Sequence, residues 1–368
     1  MSRSLVSRVA LLVLLSLLVP VITLAQTATP GASAASDAPI PVELPRDDGP
    51  HDVATEWWYY TGHLFTEEGD RYGFQYVIFK AKRGALLGYV GHFAITDNPR
   101  GRFQYDERLV GANGGATPAA DTSGFNLALG DWSMRGANGD DTLVASMPGY
   151  AIDVSLSTTK PPVLHDGDGF IRYTPDSASY YYSRTRMDLT GTLTLDGEPR
   201  PVTGEAWMDH QWGDFQTYEE GGWDWYAAQL DDGREVMLYV IRDPVGNPAI
   251  VDGSVVAADG SLTVLDQDDF TITATGSWQS PTTGTTYPSG WLAEIPGEAL
   301  SLTIKPTLNE QELDTRRTTG VIYWEGEAVV TGSSHGEPIT GLAYVELTGY
   351  APVEPIPALT AAEANSSR

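Results

Sequence analysis

The stretch Trp57-Trp58-Tyr59-Tyr60-Thr61-Gly62-His63-Leu64 returns later in the chain as Trp223-Asp224-Trp225-Tyr226-Ala227-Ala228-Gln229-Leu230, and this repetition decides the fold. Each copy runs into an acidic turn with a glycine, Glu67-Glu68-Gly69-Asp70 and Asp231-Asp232-Gly233. Each turn opens into a similar apolar strand, Phe74-Gln75-Tyr76-Val77-Ile78 and Met237-Leu238-Tyr239-Val240-Ile241. A second pair closes the units: Val202-Thr203-Gly204-Glu205-Ala206-Trp207-Met208-Asp209 matches Ile339-Thr340-Gly341-Leu342-Ala343-Tyr344-Val345-Glu346. The chain therefore holds two related units, roughly 44–215 and 216–352. The first is lengthened by insertions around Gly111–Gly124 and Pro161–Ser177. Between the repeats, stretches such as Ala151-Ile152-Asp153-Val154-Ser155-Leu156 alternate apolar and polar residues, as half-buried strands do. Asp-Gly turns at 196–197, 232–233 and 259–260 punctuate them. No long amphipathic helical pattern follows residue 50. The expectation is an all-β chain of two consecutive antiparallel barrels packed together, each closed by pairing its first strand with its last.

Composition narrows the function. Lys and Arg number 22 against 49 Asp and Glu, a formal charge of −27. Such a chain repels phosphate backbones, so nucleic acid is not an expected partner. The acids cluster in turns (Glu67-Glu68, Asp140-Asp141, Asp268-Asp269), where they are solvated. With no cysteine, disulfides, thiol nucleophiles, Cys-ligated metals and a diacylglycerol anchor are excluded. Residues 1–25 read as an export signal: Arg3 and Arg8 precede the apolar run Val9–Leu24, and Ala25 marks the cleavage point before Gln26. The run carries Pro20 and is short for a membrane span, so no stable span is expected in the mature, exported form, whether secreted, periplasmic or on the outer surface. Residues 26–43 read as a flexible leader and 353–368 as a loose tail.

The places where the copies diverge are candidate sites. His210 aligns with Leu347, Trp212 with Gly349, His63 with Gln229 and Trp58 with Asp224. Asp209 and His210 have the types of an acid–base pair, although neighbours on a strand point to opposite faces. Glu56-Trp57-Trp58-Tyr59-Tyr60 is either barrel packing or an aromatic wall with Glu56 at its mouth. Asp224, between two tryptophans, is a proton donor if it faces inward, where burial raises its pKa, and an ordinary solvated residue if it faces outward. His63 and His92 read as structural. His63, His92 and His210 show no metal-ligand spacing, so no metal is assigned. No Gly-x-Ser-x-Gly elbow, P-loop or dinucleotide fingerprint occurs, and no cofactor is expected.

Glu56-Trp57-Trp58-Tyr59-Tyr60-Thr61-Gly62-His63-Leu64, Trp207-Met208-Asp209-His210-Gln211-Trp212-Gly213 and Trp223-Asp224-Trp225-Tyr226 together resemble the AttH/carotenoid 1,2-hydratase group of two-domain lipocalin-like proteins. The resemblance covers residues 44–352. It implies two lipocalin-like barrels with a ligand pocket at or near their interface, and hydration of an isoprenoid double bond. Hydration begins with protonation of the alkene; an acid kept neutral by an apolar pocket can donate, and Trp and Tyr faces stabilise the cation. The resemblance puts His210 and Trp212 on positions the hydratases use, with Tyr239 matching a further one. The hydratase Asp close to that Tyr is missing: this chain reads Tyr239-Val240-Ile241-Arg242, so Asp209 or Asp224 would supply the proton. The expected catalytic set is Asp209, His210 and Asp224. The expected ligand-binding set is Glu56, Trp57, Tyr60, His63, Trp212, Tyr226 and Tyr239, around a hydrophobic isoprenoid, polyene or lipid. The alternatives are a non-catalytic carrier and a cofactor-free pericyclase that orients a polyene by shape.

Overall fold

The computed structural model describes residues 39–83, 86–111, 124–174, 177–215 and 221–351. The signal at 1–25, most of the leader, nearly all of the insertion at 111–124 and the tail at 353–368 lie outside the described residues. Two large antiparallel sheets account for the fold. The first contains β1 (Thr55–Thr66), β2 (Arg71–Arg83), β3 (Leu86–Asp97), β4 (Arg102–Gly111), β5 (Phe125–Leu129), β6 (Trp132–Ala137), β7 (Asp140–Met147), β8 (Tyr150–Thr158), β9 (Val163–Leu164), β10 (Phe170–Thr174), β11 (Ser177–Leu195) and β12 (Glu198–Asp214). The second contains β13 (Trp223–Leu230), β14 (Glu235–Arg242), β15 (Pro248–Val256), β16 (Leu262–Leu265) and β17 (Thr271–Ala274), then, after the separate hairpin β18 (Ser277–Gln279) and β19 (Thr286–Pro288), β20 (Trp291–Ile295), β21 (Leu300–Pro306), β22 (Glu312–Thr315), β23 (Val321–Ser334) and β24 (Glu337–Leu347). Only short 3-10 turns interrupt the strands among the described residues.

The expected pairing of first and last strands is present in both copies: β1 pairs with β12, and β13 with β24. These pairs sit in the middle of their sheets rather than at the seam. The first sheet runs β4-β3-β2-β1-β12-β11-β8-β7-β6-β5, so its free ends are β4 and β5. The second likewise ends at β16 and β17. Each sheet curls into a lipocalin-like barrel, and the two barrels pack together through the faces that carry β1, β12, β13 and β24.

Period-two alternation along β1 explains how one strand serves two compartments. Trp58, Tyr60 and Leu64 enter the core of the first barrel, with Phe74, Tyr76, Phe93 and Trp132. Trp57 and Tyr59 face the other barrel, in a cluster with Trp207, Trp225, Tyr239 and Tyr344. The second barrel has its own core around Tyr226, Trp291 and Trp324. The 3-10 turn Arg46–Asp48 closes the first barrel: Asp48 accepts hydrogen bonds from Tyr182 (2.5 Å), Arg184 (3.0 Å) and the Asn138 backbone (2.6 Å).

Polar ties surround the apolar contact between the barrels. Buried Glu235 holds Lys160 and Arg186, both at 2.7 Å. His63 Nδ1 lies 3.0 Å from Glu327 Oε1, and His92 Nδ1 lies 2.8 Å from the Tyr323 hydroxyl. Gly73 permits the approach, since a Cβ there would stand 2.7 Å from that of Glu327. No helix among the described residues is long and apolar enough to cross a membrane.

Candidate functional site

A cavity of about 860 Å³ opens between the barrels. Its walls are aromatic: Trp57, Tyr59, Tyr181, Trp223, Trp225 and Tyr239 all line it. Two buried carboxyls, Asp209 and Glu346, face the same space, with exposed Asp214 at its edge. They occupy equivalent positions in the two copies, Asp209 opposite Tyr59 and Glu346 opposite Trp225.

Asp209 is 3% exposed. Its Oδ2 accepts from the Tyr181 hydroxyl at 2.8 Å, and its Oδ1 from Trp207 Nε1 at 2.7 Å and from Ser183 Oγ. Burial pushes this carboxyl up, and although the three hydrogen bonds favour the charged form, burial wins and leaves it at about 6. Behind it, His165 Nε2 lies 2.6 Å from Ser183 Oγ. Because Ser183 donates to Asp209, the imidazole is the donor to Ser183, so the three groups form a chain ending at the cavity wall. The insertion after Pro161 supplies His165, Ile171 and Tyr173 to this region. Glu346 holds Trp223 Nε1 at 3.0 Å; burial, with the charge of Asp209 adding to it, raises this carboxyl to about 7. A third acid, Glu325, takes the Tyr59 hydroxyl at 2.5 Å. Burial first and the charge of Glu346 second keep Glu325 well above the usual carboxylate range.

The other expected residues lie elsewhere. His210 points into the first barrel, stacked on Trp58 (4.7 Å between ring centres) and tilted against Trp212. It meets Glu56, not Asp209: His210 Nε2 stands 3.0 Å from Glu56 Oε1, and His51 Nδ1 stands 2.8 Å from the same oxygen. Lys80 lies 2.8 Å from Glu56 Oε2. Burial opposes the charge on Glu56, but the two imidazoles and Lys80 outweigh it and hold the carboxyl at about 2. Burial lowers His210, with Glu56 pulling the other way. His51, Glu56 and His210 are close enough to hold a cation, but the Lys80 ammonium already neutralises that carboxylate. Trp212 stacks on His51 at 4.2 Å. Tyr60 is deeper in the same barrel, bonded to Asp141 at 2.9 Å. Asp224 and Tyr226 turn into the second barrel. The Asp224 carboxylate is occupied by Arg242 and by the Tyr350 hydroxyl at 3.0 Å. His63 is bound to Glu327 outside the cavity wall. Of the expected residues, Trp57, Asp209 and Tyr239 share the cavity.

Asp252 lies opposite Tyr239 across the β14–β15 pair, and burial raises it to about 6. A carboxyl beside this tyrosine is thus supplied across the sheet rather than along the strand. Sequence reasoning missed Glu346, Glu325, Ser183 and His165. The repeat carried the signal for Glu346, since Trp207-Met208-Asp209 aligns with Tyr344-Val345-Glu346. Nothing in the sequence marks Ser183 or His165.

The match of the AttH-like family model to residues 35–350 agrees with this architecture. The chain belongs to the AttH-like family. A Nitrosomonas europaea protein bearing the AttH name is 30% identical in sequence and superposes with a TM-score of 0.75, covering 87% of this chain and 100% of that one. Kievitone hydratase from Nectria haematococca shares the fold at 17% identity and a TM-score of 0.67, over 84% of this chain and 93% of its own. CghA, solved with Sch210972, shares it at 14% identity and a TM-score of 0.56, over 85% of this chain and 95% of its own. No curated protein sequence matches the chain.

Proposed function

We propose that this chain is an exported hydratase-type lipocalin that adds water across a carbon–carbon double bond of a hydrophobic isoprenoid or polyene held between its barrels. One observation carries the reading: Asp209, a carboxyl that titrates near 6, faces a cavity walled by tryptophan and tyrosine. The protonated acid gives its proton to one alkene carbon, the π pair forming the new C–H bond. The positive charge left on the neighbouring carbon is stabilised by the faces of Trp57, Trp223 and Trp225. Water attacks that carbon, and its surplus proton passes to Glu346, the stronger base of the two. Because Glu346 titrates above Asp209, the reactive form with the proton on Asp209 is the minor arrangement of one proton shared by the pair. Proton exchange between the two carboxyls through the cavity water returns Asp209 to its acid form. A hydratase on the same fold supports the reaction class, and the Arg3, Arg8 and Val9–Leu24 pattern supports export.

The test is incubation with a polyene ending in an isopropylidene group in ¹⁸O-labelled water, followed by mass spectrometry. A gain of one labelled water by the wild type and none by Asp209→Asn is the expected result. Saturable quenching of tryptophan fluorescence without any product would make the protein a carrier instead. Sequencing the amino terminus of material recovered outside the cytoplasm, with Gln26 as the expected first residue, checks export.

A further inference from the structure

Gln75 belongs to the cavity wall on β2 and is fully buried. Neither its Oε1 nor its Nε2 has a hydrogen-bond partner. The other lining amide, Gln211, is satisfied: its Nε2 donates to the Tyr173 hydroxyl at 2.6 Å and to Ser179 Oγ at 2.8 Å. Glu325 Oε2 is also buried and unpartnered. The strands bring these free groups to one side of the interface. Gly73, two residues before Gln75, packs against Glu327, two residues after Glu325. Tyr59, bonded to Glu325, pairs with Val77, two residues after Gln75.

A buried amide with both ends free is costly in a dry protein. A hydrocarbon pressed against it leaves it unsatisfied. A head group with an adjacent donor and acceptor completes both bonds at once. Ionised Asp209 or Glu346 would repel an anionic head, and the one ammonium among the described wall residues, Lys80, is already paired with Glu56, so the wall favours an uncharged head. We propose that Gln75 makes the cavity selective for hydrophobic chains ending in an uncharged oxygen-bearing head group with a donor beside an acceptor, such as a primary amide or an undissociated carboxylic acid, over pure hydrocarbons. The inference rests on the cavity being the ligand site, as in the reading above, and adds the class of ligand.

Binding reads this selectivity separately from turnover. Tryptophan quenching at pH 6 is compared for farnesamide (the primary amide of farnesoic acid) and the hydrocarbon farnesene, in the wild type, in Gln75→Leu and in Asp209→Asn. The wild type and Asp209→Asn should both prefer the amide by about 10- to 100-fold, the size expected when a buried polar group is left unsatisfied. Gln75→Leu should reduce the preference below about 3-fold, mainly by weakening the amide, with an unchanged circular dichroism spectrum showing that it folds. Equal affinity for both probes in the wild type, a preference that survives Gln75→Leu, or no binding of either probe overturns the proposal. Loss of the hydratase reading alone would appear as preferential binding without labelled product.

Discussion

Asp209 and His210 are consecutive on β12, and the sheet separates their side chains: one faces the inter-barrel cavity, the other is stacked inside the first barrel. Their substitutions should therefore fail in different ways. Asp209→Asn should reduce product formation by about 10²- to 10⁴-fold, the usual worth of a general acid, and leave the urea midpoint at pH 6 nearly unchanged. His210→Ala empties a packed aromatic stack and removes a partner of buried Glu56. It should cost about 2–4 kcal/mol in urea unfolding while ligand quenching of the folded fraction persists. Equal losses of stability in both variants would contradict the separation.

Stability should decline between pH 5 and pH 8. Asp209, Glu346 and Asp141 all titrate higher in the folded chain than in the unfolded one, at about 6, about 7 and about 7. From the unfolded carboxylate range upward, the folded state holds more protons, so stability is fully present below that range and is lost as pH rises through these values. Asp209 alone contributes about 1.4 kcal/mol of the loss. Glu56 acts in the opposite sense: held at about 2, it contributes stability above the ordinary carboxylate range that disappears as pH falls toward 2. Urea midpoints should be highest at about pH 4, around the unfolded carboxylate range, and decline less steeply above it in Asp209→Asn.

Breaking the ionic tie between the barrels should be expensive. Glu235→Gln leaves Lys160 and Arg186 buried beside a neutral amide. Removing one member of a buried charge set typically costs about 3–5 kcal/mol. Chemical denaturation should show the loss, together with a broader transition as the two barrels cease to unfold as one.

The aromatic wall should carry affinity. Trp57→Ala and Trp223→Ala each remove a large face from the cavity, and each should weaken polyene binding by about 10- to 30-fold. Quenching titrations, with Trp278→Phe as a control away from the cavity, would measure it. An unchanged dissociation constant in both variants would place the ligand elsewhere.

Much of the architecture was legible because the repeat names its own strands. Trp57–Leu64 and Trp223–Leu230 open the sheets, and the two Gly-x-Ala-aromatic strands lie beside them as expected. The seam was not legible, since nothing local tells β4 and β5 that they are the ends. The site was legible in part. Alternation warned that Asp209 and His210 point apart, but the cluster Glu56–Tyr60 gave no sign of which alternate residues face the second barrel. Trp57 belongs to the cavity, whereas Glu56 and Tyr60 belong to the first barrel. Asp224 was inward as one reading required, yet Arg242 arrives from the neighbouring strand to occupy it. Ser183, His165 and Gln75 acquire their roles only through contacts made across the sheets.

Equivalent positions in the two copies have not stayed alike. Ser183 is paired with Asp209 as Glu325 is paired with Glu346. One acid therefore has a hydroxyl and an imidazole behind it, and the other has a second carboxyl. Two identical barrels meeting through this face would build a two-fold symmetric cleft in which either end of a ligand fits equally well. Linking the copies in one polypeptide lets each half differ, and the cleft acquires a heading: a molecule lying in it meets unlike neighbours at its two ends, so its two orientations are no longer equivalent.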